Sequence, residues 1–278
     1  MPHINPTNPN LSDFYYRIYG NPQGPKLVFL HGMMGYSSNW RTIISEFEKD
    51  YFCLVFDQRG HGKSLKPLSG YHPKNYAADL YKIVSELNWK SFALIGHSMG
   101  GRNALEFASQ HQNLLTHLII EDITPEMTPG TQDFFQDLFS FIPTPFQSRE
   151  ASKKFFEFDF HAESSPYRGN KALSLFLLSN LETQENGSVD WRFSKQAIFE
   201  TMNSMVSYSQ WSILPKLTIP TLFIRGENSK DLPRSTLIRI LDSNPLISSV
   251  EIEGAGHWVH FDRSKEFTKA LSEFLISH

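Results

Sequence analysis

The chain has 278 residues, of which 40% are hydrophobic and 20% are charged, and its formal net charge at pH 7 is −3. This length and composition predict one large domain, or a domain with an insertion, and exclude wholesale disorder. They also exclude a basic surface for nucleic acid, and no segment approaches the roughly 18 consecutive apolar residues that could span a bilayer.

Apolar runs of strand length recur along the chain, separated by amphipathic segments of helical length. The runs are nearly continuous rather than alternating, which indicates strands covered on both faces and therefore a mostly parallel sheet. We predict an α/β fold in which helices flank this sheet. The predicted strands are residues 14–19, 26–30, 52–56, 92–95, 115–120, 221–224 and 250–252, and the predicted flanking helices are residues 76–87, 102–110, 235–241 and 264–276.

Residues 124–214 interrupt this alternation and predict an inserted helical cap. The segment has no strand-like run, is dense in phenylalanine, and shows helical patterns at residues 131–141, 148–158, 170–179 and 194–208. We therefore assign residues 1–123 and 215–278 to the α/β core. An insertion at this point is expected to lie over the carboxyl ends of the strands, where open α/β sheets bind ligands. Most cap phenylalanines are expected to form the cap's own core, and a minority to line an apolar acyl pocket.

The segment Gly96-His97-Ser98-Met99-Gly100 supplies the candidate nucleophile. The apolar run 92–95 precedes it and a helical pattern, residues 102–111, follows it. Glycine-x-serine-x-glycine between a strand and a helix is typical of a nucleophile elbow, which holds the serine hydroxyl at the carboxyl edge of the sheet. A chance match in a glycine-containing turn is the alternative, and the strand before and helix after disfavour it.

A serine hydroxyl needs a base to take its proton, and the best candidate among the 11 histidines is His257. It lies in a glycine-rich loop directly after the last strand, a loop that returns to the edge of the sheet where Ser98 lies. His97 is expected to point away from Ser98. His31 is expected to brace its own loop, and His260 to pack at the start of a helix.

Two aspartates could orient the imidazole of His257. Asp122 directly follows the strand at residues 115–120, so a sheet strand would fix its position. Asp231 follows the strand at residues 221–224 after a short loop, and it precedes Leu232-Pro233, where an aspartate is often a helix cap. The anchoring argument favours Asp122, with Asp231 as the alternative, and strand alternation sends Glu121 to the other face.

Two backbone N–H groups are expected to stabilise an oxyanion, those of Met33 and Met99. Met33 follows the first long strand in a glycine-containing loop, and Met99 directly follows the nucleophile. Met34 and Trp258 are expected to line the acyl side of the pocket. The sequence has no glycine pattern for a dinucleotide or a phosphate and no histidine pair with metal-ligand spacing, so no cofactor and no metal are expected.

Four motifs occur in an order that resembles the α/β-hydrolase superfamily over nearly the whole chain. They are residues 31–33, 57–64, 96–101 and 254–258. More narrowly, the chain is similar to small bacterial esterases of the YbfF type and to abhydrolase-domain-11 proteins. This resemblance implies carboxylesterase or thioesterase activity on short to medium acyl chains, under a mobile helical cap.

In that group the triad acid follows the strand after the nucleophile helix, in an Asp-Ile-x-Pro segment. Residues 122–125 match this segment, and Ser229 stands where many other members have their aspartate. The resemblance therefore implies that Asp122 is the acid. Asp231 remains close to the usual place of the acid, so both assignments stay open.

The sequence thus predicts a serine hydrolase that acts on a small-molecule ester or thioester through an acyl-enzyme. The alternatives are a carbon–carbon bond hydrolase, a lyase or a cofactor-free haloperoxidase on the same fold, or a ligand-binding protein without turnover. Residues 1–10 lack the apolar core of a secretory signal, so a cytoplasmic location is expected, with an organellar one as the alternative. The oligomeric state is left open.

Overall fold

A computed structural model describes residues 9–127 and 130–277 and contains, in that part of the chain, a seven-stranded sheet. The strand order is β1-β3-β2-β4-β5-β8-β9, in which β1 is antiparallel to β3 and every other pair is parallel. The predicted α/β fold class is confirmed. The strands are β1 (Tyr16–Gly20), β2 (Lys26–Leu30), β3 (Phe52–Phe56), β4 (Phe92–His97), β5 (Leu115–Glu121), β6 (Leu181–Thr183), β7 (Val189–Trp191), β8 (Thr221–Gly226) and β9 (Ile247–Ile252).

Helices cover both faces of the sheet, which explains the continuous apolar runs. Along β4, Phe92 and Leu94 point into one hydrophobic core, whereas Ala93 and Ile95 point into another on the opposite face. Successive side chains of a strand alternate between faces, so a strand buried on both faces is apolar along most of its length. In the described ranges the helices are α1 (Arg41–Phe47), α2 (Pro73–Glu86), α3 (Met99–His111), α4 (Thr131–Phe141), α5 (Arg149–Glu157), α6 (Lys171–Ser179), α7 (Lys195–Val206), α8 (Arg234–Ser243), α9 (Val259–Asp262) and α10 (Ser264–Ser277).

Between β5 and β8 the chain forms helices α4 to α7, as the helical patterns predict. Many aromatic side chains of this segment share one cluster, in which Phe139, Phe146, Phe156 and Phe160 are buried. The segment also contains the antiparallel pair β6–β7, which contradicts the expectation that it lacks strands. Each of these strands has three residues, too few to produce a period-two pattern in the sequence.

Two predictions fall partly outside the described residues. Residues 1–8, most of the segment for which no secretory signal is expected, are among those not described, and so are residues 128 and 129 of the cap segment. The division into a core and a cap at residues 124 and 214 stays a prediction. Across the described ranges, every helix is too short or too polar to cross a bilayer.

Candidate active site

Ser98 lies on a sharp turn between β4 and α3, and its φ of 53° and ψ of −121° fall where non-glycine residues are rarely found. Close backbone packing requires the two flanking glycines. A Cβ on Gly100 would lie 2.5 Å from the carbonyl oxygen of Leu30, and one on Gly96 would overlap the carbonyl of Gly100. The glycine-x-serine-x-glycine pattern therefore has a steric cause at this turn.

Backbone strain concentrates at this edge of the sheet. Among the described residues, four non-glycine residues have a positive φ: Met34, Asn88, Ser98 and Asp122. Three of them, all except Asn88, are residues that the sequence nominates for the site. Strained backbone persists only where the surrounding structure holds it, and it is common at functional sites.

Asp122 directly follows β5 and is completely buried. Its Oδ1 accepts a hydrogen bond from the Gly226 N–H (3.0 Å), and its Oδ2 accepts hydrogen bonds from Ser229 Oγ and from His257 Nδ1 (2.9 Å). Burial raises the pKa of Asp122, although these hydrogen bonds favour the ionised form. These hydrogen bonds hold both carboxylate oxygens of Asp122 in place, and Oδ2 faces the imidazole of His257.

His257 lies in the loop between β9 and α9, and its Nδ1 faces two carboxylates. Asp122 Oδ2 is 2.9 Å away and Asp231 Oδ2 is 3.4 Å away. Burial lowers the pKa of His257, but the charge of Asp231 and the hydrogen bond with Asp122 more than offset this and raise it to about 9. The structure thus brings both candidate acids to the same nitrogen.

Ser98 and Asp122 follow residues that pair directly in the sheet, His97 of β4 and Glu121 of β5. The Ser98 N–H donates to the Glu121 carbonyl at 2.9 Å, so the candidate nucleophile and acid lie side by side. In the described part of the chain no hydrogen bond joins Ser98 Oγ to His257. Such contacts are often long in substrate-free enzymes and tighten when substrate binds.

In the loop after β2, the backbone N–H of Met34 has a hydrogen-bond partner among the described residues, whereas that of Met33 has none. The Met34 N–H donates to Nε2 of His61 (3.2 Å), and the Nδ1 of His61 in turn donates to the carbonyl of Arg59. Burial lowers the pKa of His61 to about 3, so the ring is neutral and Nε2 can accept. The Met33 N–H makes no hydrogen bond with the described residues, and Met99 opens the first turn of α3, where N–H groups lack helical partners.

The family model for the α/β hydrolase fold matches residues 25–264. The chain belongs to the α/β-hydrolase family. It is 30% identical over 268 residues to sn-1-specific diacylglycerol lipase ABHD11 of Xenopus laevis, a match that covers 95% of this chain and 84% of the relative. The resemblance stated from the motifs is confirmed.

Two solved structures are similar to this α/β hydrolase along most of the chain. One is an esterase of a marine microorganism, with 28% identity, a TM-score of 0.78, and coverage of 94% of this chain and 98% of that chain. The other is an E-2-(acetamidomethylene)succinate hydrolase, with 25% identity, a TM-score of 0.81, and coverage of 94% of each chain.

A second histidine network supports the His257 loop of this α/β hydrolase. The imidazole of His97 donates from Nε2 to the backbone carbonyl of His257 (3.0 Å), and the two ring centroids are 4.8 Å apart. Burial and the neighbouring histidines lower the pKa of His97 well below its usual value, so the ring is neutral. Glu121 accepts from the N–H and Nδ1 of His260, whose ring stacks on Trp40. Glu121 and Asp122 are therefore hydrogen-bonded to different histidines, His260 and His257.

The described residues contain two sets of histidine and acidic groups whose ligand atoms lie within 4.8 Å of one another, His97-Glu121-His260 and Asp122-Asp231-His257. In each set an imidazole N–H already faces a carboxylate, at His260 and at His257. In each set a carboxylate thus accepts a hydrogen bond from the Nδ1 of a histidine.

A cavity of about 280 Å³ lies beside the site, between the core and α6. Gly32, His97 and Trp258 line it from the core, and Phe176 of α6 packs on Trp258 with ring centroids 5.1 Å apart. Met34 is not among the residues that line this cavity; it is buried in the aromatic cluster of the segment between β5 and β8, against which Phe176 and Trp258 also pack.

Three contacts of the site have no local signal in the sequence. They are the hydrogen bond from Ser229 to Asp122, that from Met34 to His61, and that from His97 to the His257 carbonyl. In the first and the last, the partners are more than 100 positions apart. The place of Ser229 at the usual position of the family's aspartate is the one clue that could have suggested its contact with the acid.

Proposed function

We propose that this α/β hydrolase is a serine hydrolase that cleaves carboxylic esters or thioesters of short to medium acyl chains. The observation that carries the proposal is the 2.9 Å hydrogen bond between His257 Nδ1 and the buried Asp122, beside the elbow of Ser98. A neutral imidazole oriented in this way can accept a proton at Nε2, which is what a weak serine nucleophile requires.

The reaction begins when Ser98 Oγ attacks the acyl carbonyl carbon and His257 Nε2 takes its proton. The carbonyl oxygen becomes an oxyanion, for which the N–H groups of Met33 and Met99 are the proposed donors. When the tetrahedral intermediate collapses, the alcohol or thiol leaves with the proton from His257. Water then attacks the acyl-enzyme by the same steps and releases the carboxylic acid. Asp122 balances the charge of the imidazolium throughout.

The cavity beside the site supports a substrate with an apolar part. Its walls include Trp258 and Phe176, and apolar walls with a few polar groups are typical of small-molecule sites. Lipase and esterase relatives support ester chemistry. The proposed substrate is a small-molecule acyl ester or thioester, and the proposed reaction uses no resident cofactor. We also propose that the protein has no nucleic-acid partner and that it is cytoplasmic.

The decisive test is Ser98→Ala, assayed with p-nitrophenyl acetate and butyrate and with a fluorophosphonate probe. We expect the variant to lose both turnover and labelling, because the probe and the ester react with the same oxygen. Ser164→Ala is the matched control, since Ser164 is exposed and lies far along the chain from the elbow. Retention of turnover and labelling by Ser98→Ala would overturn the proposal.

One similar structure favours a competing substrate class within hydrolases. It is the E-2-(acetamidomethylene)succinate hydrolase, with a TM-score of 0.81. A substrate panel separates these classes of hydrolase. It contains acyl esters, acyl thioesters, diketones and E-2-(acetamidomethylene)succinate. Turnover confined to E-2-(acetamidomethylene)succinate would favour this competing class, and turnover confined to carbon–carbon cleavage of a diketone would favour a carbon–carbon bond hydrolase. Turnover of short esters and thioesters supports the proposal.

A further inference from the structure

We propose that Asp231 is a second acid partner of His257, which acts on the imidazole together with Asp122. This inference rests on the proposed function. Asp122 orients the ring from a buried position, and Asp231 stabilises its positive charge from a position close to solvent. Asp231 would then be a positioning and charge-stabilising residue that does not touch the substrate.

The carboxylates of Asp122 and Asp231 both lie close to the same nitrogen of His257. His257 Nδ1 lies 2.9 Å from Asp122 Oδ2 and 3.4 Å from Asp231 Oδ2, whose side chain is 44% exposed. Ser229 links the two acids, because its Oγ donates to Asp122 Oδ2 and accepts from the Asp231 N–H (3.1 Å). The loop after β8 therefore holds both carboxylates against the same ring.

The alternative role of Asp231 as a helix cap does not fit the structure. Helix α8 begins at Arg234, its N-cap is Pro233, and no side chain caps it. The carboxylate of Asp231 faces His257 instead.

The other charged and titratable groups near His257 are occupied elsewhere or uncharged. Glu121 of β5 adds negative charge but is hydrogen-bonded to His260, on the far side of the strand. His97 of β4 packs on the His257 ring and is neutral, because burial lowers its pKa well below the usual value. The two carboxylates at Nδ1 are thus the groups that can balance an imidazolium.

The sign of the effect follows from the charge. Although burial lowers the pKa of His257, Asp231 and Asp122 raise it to about 9, so the ring keeps its proton to higher pH than an ordinary histidine. Catalysis requires the neutral ring, so kcat/KM should rise with pH through that pKa. Removal of the Asp231 charge should move this rise to lower pH, by on the order of one pH unit for a half-exposed pair.

The first experiment measures the pKa of His257 by NMR in the Ser98→Ala background, with and without Asp231→Asn. This readout needs no turnover, so it separates the present inference from the proposed function. We expect a decrease on the order of one unit with Asp231→Asn and none with Asp231→Glu, which keeps the charge. Asp242→Asn is the matched control, because Asp242 is exposed on α8. An unchanged His257 pKa in Asp231→Asn would overturn the inference.

The second experiment uses pH profiles of kcat/KM with p-nitrophenyl butyrate. In Asp231→Asn the rise should move to lower pH while the alkaline plateau stays within several-fold of the wild type. Because Asp231 is half exposed, 1 M salt should move the wild-type rise in the same direction and leave Asp231→Asn nearly unchanged.

A double variant tests whether the two acids act on the same charge. Asp122→Asn/Asp231→Asn should be on the order of tenfold slower than Asp122→Asn alone, because no carboxylate then remains at Nδ1. Equal rates for the single and double variants would contradict a role for Asp231.

Discussion

Replacement of Asp122 by asparagine tests the triad acid most directly, because the structure dictates how the new amide must point. The Gly226 N–H donates to the position of Oδ1, so the oxygen of the introduced amide would stay there. The NH₂ group would then occupy the position of Oδ2 and donate to His257 Nδ1. The Ser229 hydroxyl, which donates to Oδ2 in the wild type, can rotate and accept from this NH₂ group, whereas the Gly226 N–H can only donate. An imidazole that accepts at Nδ1 carries its proton on Nε2, and it cannot take one from Ser98.

The loss of activity in Asp122→Asn depends on this change of tautomer at His257. In a triad with a single acid the same change lowers kcat roughly 10⁴-fold. Since Asp231 retains a charge at Nδ1, we expect a loss of roughly 10³- to 10⁴-fold, or about 4 to 5.5 kcal/mol of transition-state stabilisation.

The assay is kcat/KM for p-nitrophenyl butyrate at the alkaline plateau, compared with Asp231→Asn and the control Asp242→Asn. Labelling of Ser98 by the fluorophosphonate should slow in parallel, and urea unfolding should establish that Asp122→Asn is folded. If Asp231→Asn costs more activity than Asp122→Asn, then Asp231 is the main acid and the assignment of Asp122 is wrong.

Two further predictions concern the free energy of unfolding. Gly100→Ala should destabilise the protein by about 1–3 kcal/mol in urea unfolding, because the new Cβ would lie 2.5 Å from the Leu30 carbonyl oxygen. Gly169→Ala is the control: the space around Gly169 is open but its φ is 79°, so the change should cost about 1 kcal/mol. A larger loss of stability for Gly169→Ala than for Gly100→Ala would refute the steric argument. A folded-state pKa raised from 6.5 to about 9 means that the ionised His257 contributes stability below pH 6.5 and loses it as the pH rises to 9. The free energy of unfolding should therefore fall more steeply over this range in the wild type than in His257→Gln, and parallel curves would contradict the shift.

The sequence predicted the sheet well because burial on both faces leaves a strong signal. In strand β4, Phe92 and Leu94 lie in one core and Ala93 and Ile95 in the other, so four consecutive apolar residues mark the strand in the sequence. Helix α1 was missed because it has seven residues, and β6 and β7 because they have three each. Short elements depend on tertiary packing, which a local pattern does not record.

The candidate site shows the same division between local and distant information. The elbow of Ser98 is local, so five consecutive residues predict its strained backbone. The choice between Asp122 and Asp231 depends on where two loops meet, and the sequence favoured one acid where the structure brings both to His257. The support of the His257 backbone by His97 spans 160 positions and could not be inferred from spacing.

The adjacent carboxylates at the end of β5 make the site unusually sensitive to strand alignment. Glu121 points to His260 on one side of the sheet, and Asp122 faces His257 at its edge. Because neighbouring residues of a strand face opposite ways, an insertion of one residue in β5 would move Glu121 into the place of Asp122, and a deletion would move Asp122 into the place of Glu121. Either change would leave one of the two histidines without its carboxylate. The segment between β5 and β8 could accept changes of length without this penalty, so we expect natural and engineered length variation to accumulate there and to spare β5 itself.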